Sequence, residues 1–353
     1  MYPCRLLPLL MLFFFPVLGH AAPPHYSVTD LGTLGGKSSA ANALNDKGQV
    51  VGWAETSAAG ERPTIHAFLW GHGKMQDLDT IPDFEYPAGT EARSINNQGT
   101  VVGGIAPRMG MSQETGWLWD SSGQQTIKDS GDALAVNDAG QVLVTSGLHS
   151  FIWQNGEMQK VLSVSRYYST KATAMNSHGD VAGYCWNEPG GWKGFVRLHG
   201  EDSLLGTLPG MNASVAVALN DQGQVVGVAS DELYSEKTNA AGVKTTTSGT
   251  RQSRAFFWQD GKLTDLGERE ISGIGDQGQV LGSYFAPRPG QVKAFLWQNG
   301  QFTDLDSLID PASGWKLEDA RAVNKWGQIV GFGEHHGEKY AFLLTPTKEG
   351  VQK

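Results

Sequence analysis

The residues best suited to chemistry are few and widely scattered. Arg93 follows Glu91, and Arg321 follows Glu318 and Asp319. Carboxylates converging at the mouth of a channel could work as acid and base on a glycosidic bond, and the arginines could hold an anionic or polar ligand. Local ion pairing is the plainer account of both clusters. Asp231/Glu232 and Glu318/Asp319 adjoin in sequence, and adjacent strand residues point to opposite faces, so neither makes an acid/base pair. His335 and His336 offer two metal ligands, but spacing supplies no third. The "NDKG" at 45 lacks the alternating acids and terminal Glu of a calcium loop. No phosphate loop, dinucleotide fingerprint or nucleophile elbow is present, so no cofactor is expected. The two cysteines are Cys4 and Cys185, and Cys185 has no His/Asn context for catalysis.

A second set is aromatic. Trp53, Tyr86, Tyr167, Tyr168, Trp186, Trp192, Tyr284 and Trp315 fall in segments of irregular sequence. Flat rings beside polar groups suit sugars and peptides, although several of these will simply pack loops. Trp70, Trp119, Trp153, Trp258 and Trp297 instead recur at one position and belong to the core.

The elements that position these groups come from a repeat. "ALNDKGQVVG" at 43 returns as "SINNQGTVVG" at 94, "AVNDAGQVLV" at 135, "AMNSHGDVAG" at 174, "ALNDQGQVVG" at 218, "GIGDQGQVLG" at 273 and "AVNKWGQIVG" at 322. Each copy is followed by a variable stretch and a second motif, "HAFLWGHGKMQDL" at 66 and "KAFLWQNGQFTDL" at 293 among them. A period of roughly 40–55 residues signals a propeller or another array. Each unit reads as four short strands bounded by glycine turns. Two and four residues before each Asn the side chains are small, as at Ala43 and Ala41, so this strand belongs near an axis and the bulky "AFLW" strand further out.

The seventh unit stops after "YAFLLTPT", one strand short, while "HYSVTDLGTLGG" at 25 matches the fourth strand "KLTDLG" at 262. The sequence therefore predicts an all-β, seven-bladed β-propeller of four-stranded antiparallel blades, the last closed by the N-terminal strand. "HAFLW" together with "AxALNDxGQVVG" resembles the HAF-repeat extracellular proteins of bacteria over nearly all of the chain after residue 22. The resemblance implies a secreted β-propeller-like repeat protein and brings no catalytic residues with it.

Residues 1–22 read as a signal peptide. Arg5 precedes an apolar run from Leu6 to Leu18, with Gly19 and Ala21 placed for cleavage after Ala21 or Ala22. Residues 23–353 then form one exported propeller domain without a membrane span. A formal charge of −9 argues against a nucleic-acid partner. Strand-to-strand turns are uniform on one rim of such a ring, while connections on the other vary widely. The longest, 230–253, reads as a flexible flap.

The expected function is a non-catalytic, monomeric binding module for a glycan or an exported protein, with its site on the long-loop rim. The candidate ligand-binding residues are Trp53, Tyr86, Arg93, Tyr168, Trp186, Trp192, Tyr284, Trp315 and Arg321. The alternatives are a secreted propeller glycoside hydrolase or lyase using Glu91 and Glu318, and a structural surface protein that assembles through the uniform rim.

Overall fold

A computed structural model describes residues 25–57, 64–79, 89–105, 115–147, 149–160, 169–187, 191–238, 244–287 and 290–347. The expected signal peptide lies outside them. Short alternating runs cut by Asn-x-x-Gly and Asn-Gly turns have no length for helices, and they form antiparallel strands. The first unit is typical. Gly35–Leu44, Val50–Thr56, Ile65–Gly71 and Lys74–Asp77 pair in chain order into a four-stranded sheet. The units at 90–126, 213–267 and 270–304 repeat this order. Those at 133–160 and 169–204 do so too, joined by a single parallel bridge between His149 and Thr170.

In the seventh unit, Trp315–Val323, Ile329–His335 and Glu338–Pro346 supply three strands, and the fourth place is taken by Tyr26–Asp30. Its register is antiparallel, from Tyr26 opposite Pro346 to Asp30 opposite Phe342.

The core lies between units. The third-strand aromatic is deeply buried in every unit but the third, where Phe151 is half-buried. Phe68, Phe195, Phe256, Phe295 and Phe342, with Trp117 in the second unit, are at most 1% exposed. Each such side chain contributes about 1.5–3 kcal/mol by leaving water. The recurring Trp lies nearer the surface: Trp258 and Trp297 are buried, while Trp70, Trp119 and Trp153 are half-buried. Apolar clusters join each unit to the next. A further cluster packs Val330, Ala341 and Leu343 of the seventh unit against Ala41, Val50 and Phe68 of the first. First strands touch in chain order, and Trp315–Val323 touches Gly35–Leu44. Their small side chains permit this approach: Ala41, Ala92, Ala133, Ala172, Ala216 and Ala320 are fully buried.

Candidate functional site

Every first strand carries a β-bulge at the residue three places before the repeat Asn. The register slips around Asn42, Arg93, Leu134, Thr173, Val217, Ser272 and Arg321. A bulge frees its extra residue from the pairing pattern and re-aims the side chain. Here the polar ones reach the neighbouring unit. Ser272 donates to Asp319 at 2.9 Å, and Arg321 Nε donates to the other oxygen of Asp319 at 3.0 Å. Arg321 Nη1 also donates to Asn42 Oδ1. Asn42 Nδ2 donates to Glu91 Oε1 and to the Ala92 carbonyl, both at 2.8 Å. Arg93 approaches Glu91 at 3.9 Å and pairs with Asp132 at 2.8 Å.

Arg93 and Arg321 are thus linked through Asn42 and Glu91, and each bonds a side chain of an adjoining unit, Asp132 and Asn42 respectively. Glu318 turns instead to Lys339 at 2.7 Å. The two glutamates of the enzyme alternative are therefore tied to different partners.

The repeat Asn is a four-way connector. Asn220 Oδ1 accepts from the N–H groups of Gln222 and Gln224, while Nδ2 donates to Gln224 Oε1 and to the Gly275 carbonyl of the next unit. Asn45, Asn96 and Asn176 reach the carbonyls of Asn96, Asn137 and Asn220, and Asn324 reaches that of Asn45. In the sixth unit Gly275 has no side chain, and Gln279 Oε1 accepts the N–H of Gln277 in its place. The residue after each Asn adds an outer belt, with Asp46, Asn97, Ser177 and Asp221 each giving their N–H to the next unit's side chain. These turns enclose a cavity of about 560 Å³, lined among others by Asp46, Asp138, Asp221 and Asp276. Trp326 stands beside it, 63% exposed, its indole N–H donating to the Asp46 carbonyl.

The recurring Asp of "TDL" is structural. Asp265 Oδ1 accepts the Gly267 N–H, and its carboxylate takes Arg254 Nε at 2.8 Å. Asp77 with His66, Asp304 with Lys293 and Asp30 with His335 repeat the arrangement. The basic residue before "AF" at 66, 254 and 293 therefore bonds this carboxylate. His335 is stacked on Trp315 with centroids 4.6 Å apart, and among the described residues no group of three or more His, Cys, Asp or Glu could hold a metal.

On the long-loop rim the expectations divide. Tyr86, Tyr167 and Tyr168 lie outside the described residues. Trp53 is half-buried within the strand Val50–Thr56. Trp315 is corrected to a core residue, 8% exposed, because it begins a first strand and packs against His335 and Phe342. The strands Val181–Asn187 and Gly191–Leu198 pair out to Asn187 opposite Gly191, which places Trp186 directly opposite Trp192, centroids 6.2 Å apart. The 230–253 insertion is also corrected. Val225–Thr238 and Lys244–Gln259 pair out to Thr238 opposite Lys244, making a long β-hairpin.

At the foot of that hairpin, between the fifth and sixth units, is a cleft of about 330 Å³. Arg251, Glu268, Arg269, Glu270, Tyr284 and Phe285 line it, and Phe285 is 72% exposed. Tyr284 is the predicted residue that lands here. Its hydroxyl lies 3.3 Å from Asp304, which fixes the ring. Burial, then the charge of Asp304, pushes that hydroxyl above the ordinary tyrosine range. Arg269 lies 3.7 Å over the Phe302 ring, and burial pulls it below the usual arginine value. Arg251, Arg269 and Phe285 escaped sequence reading because they come from three separate connections. The one signal was "YF" at 284, two aromatics running into a loop.

Four-stranded antiparallel units packed in chain order have a known counterpart. The β-propeller domain of the trilobed protease from Pyrococcus furiosus, which has an open velcro topology, matches with a TM-score of 0.53 at 10% identity, over 89% of this chain and 94% of that one. The fold is a β-propeller. Two further similar structures are an acylaminoacyl peptidase from Pyrococcus horikoshii (TM-score 0.48, 12% identity, 84% of this chain and 49% of that one) and TolB from Acinetobacter baumannii (0.40, 12%, 85% and 80%). No family model matches the chain, and no curated protein matches it in sequence. Such low identity carries the propeller architecture and no activity. Among the described residues no helix is long and apolar enough to cross a membrane.

Proposed function

We propose that this propeller has seven blades closed by its N-terminal strand, belongs with the HAF-repeat extracellular proteins, and is exported after loss of residues 1–22. It works as a non-catalytic, monomeric binding module for a glycan or an exported protein, with its site on the long-loop rim. The observation that carries this reading is the cleft at the foot of the hairpin. There an exposed Phe285, a fixed Tyr284 ring and Arg251, whose near acid Asp231 is 3.9 Å away, face open space. By contrast, Glu91 and Asp319 at the axis are held by Asn42, Arg93, Ser272 and Arg321. Variable connections on a rigid scaffold are the usual place for recognition.

Seven blades are supported by the seven bulged first strands, and closure by the antiparallel pairing of Tyr26–Asp30 and the Asn324 bond to Asn45. The test is a glycan array with a pull-down of exported proteins, repeated with Tyr284→Ala, Phe285→Ser and Trp186→Ala. Binding lost in the first two variants supports the cleft, whereas ligands unaffected by all three would sink it. Release of new reducing ends from a bound polysaccharide would replace this reading with the enzymatic one.

A further inference from the structure

The cleft at the foot of the hairpin narrows the ligand class. We propose that it takes a neutral saccharide, the end or a short stretch of a glycan chain. This inference rests on the binding-module reading above and deepens it. Three features converge.

The first is the mixture of charge. Arg251 and Arg269 supply donors, Glu268 and Glu270 supply acceptors, and no sign dominates. Neighbouring sugar hydroxyls each donate and accept, so they satisfy such a mixture, whereas an anionic polymer meets as many like charges as opposite ones. The chain's charge of −9 adds to that repulsion.

The second is the aromatic lip. Phe285 is 72% exposed, and Tyr284 beside it is held by Asp304. Placing the apolar face of a sugar ring on such a surface removes it from water with little loss of side-chain freedom.

The third is the state of Arg269. Its Nη1 donates to the Leu266 carbonyl, its Nε has no acceptor, and its plane rests on Phe302. It is fixed in place without help from the ligand, as a preorganised site requires.

A peptide fits less well. Most of the strand length beside the cleft is already paired. Val280–Phe285 lies between Glu270–Ile274 and Val292–Gln298. Ser253 pairs with Ser230. The flanks left unpaired at the cleft, Arg251–Arg254 and Tyr284–Phe285, are short for an extended chain to join. The volume of about 330 Å³ suits a small ligand rather than a folded partner.

The experiment is calorimetric titration of the purified protein with neutral gluco-, manno-, galacto- and xylo-hexasaccharides, with hexagalacturonate and poly-glutamate as anionic probes. Each is run at about 50 and 500 mM salt, which spans strong and weak screening. One neutral sugar should bind, with affinity changing less than about twofold between the two salts. Phe285→Ser and Arg251→Ala, both at exposed positions, should each weaken it about tenfold. Trp326→Ala, on the opposite rim, should change nothing.

Tighter binding of either anionic probe that fades with salt overturns the proposal, as does a neutral sugar indifferent to Phe285→Ser. Capture of an exported protein that depends on Phe285, with no sugar bound, overturns this inference and leaves the binding-module reading standing. Loss of both kinds of ligand dependence on the rim would remove the two together.

Discussion

At the residue scale, the repeat Asn does more than start a turn. Its oxygen closes the turn and its amide reaches the next blade, so its removal leaves orphan groups on both sides. Asn220, 3% exposed and with four partners, is the clearest case. Asn220→Ala should cost about 2–4 kcal/mol, read as a lower urea midpoint. Asp265 gives a pH prediction. Burial raises its carboxyl, but the bonds from Arg254 and the Gly267 N–H outweigh it and hold the group below its ordinary 3.8. A carboxyl lowered on folding stabilises above its unfolded value, and that stability is lost as pH falls through the folded one. Asp265→Asn should therefore destabilise slightly at neutral pH, by less than about 1 kcal/mol for so exposed a pair, and not at all well below 3.8. Paired urea melts at the two pH values would show it. Cys185 is fully buried, and burial pushes its thiol up to about 12. It should resist a thiol reagent at mild alkaline pH until the protein is unfolded.

At the scale of elements, the bulged first strand dictates the glycine opposite it. A Cβ on Gly227 would stand 2.1 Å from the Val215 carbonyl and 2.7 Å from Phe256. Backbone cannot yield to that extent, so Gly227→Ala should cost about 3 kcal/mol or more, or prevent folding. Gly261 offers the contrast, with φ of 79° but nothing near a Cβ, so its Ala variant should lose only about 1 kcal/mol. Both follow from denaturation midpoints. The long hairpin is a different kind of element, lying beyond the paired core of its blade. Replacing residues 232–250 with a short turn should move the melting temperature by no more than about 2–4 °C, because Val225–Ser230 and Ser253–Gln259 keep their sheet.

At the scale of the molecule, the N-terminal strand ties the two ends of the chain together in one sheet. Deleting residues 25–31 removes buried Tyr26 and Leu31 and the Asp30–His335 pair, and bares the edge of Glu338–Pro346. The melting temperature should fall by more than about 10 °C, and light scattering should show self-association through the open edge. That deletion also marks what could be read without coordinates. The sequence by itself determined strand lengths, the unit boundaries, the small-residue face and the match between Tyr26–Asp30 and a missing fourth strand. These are local patterns of size, polarity and turn chemistry, and each unit states them again. What only the tertiary structure decided is where unique residues meet. Arg93 and Arg321, five positions apart in the order of units, are neighbours through Asn42 and are held by bonds to adjoining units. Trp315 is core because a strand begins there, and Arg251, Arg269 and Phe285 share a cleft although no spacing links them. Such meetings depend on how one blade is set against the next, and that angle is fixed by packing between units, which no single repeat encodes.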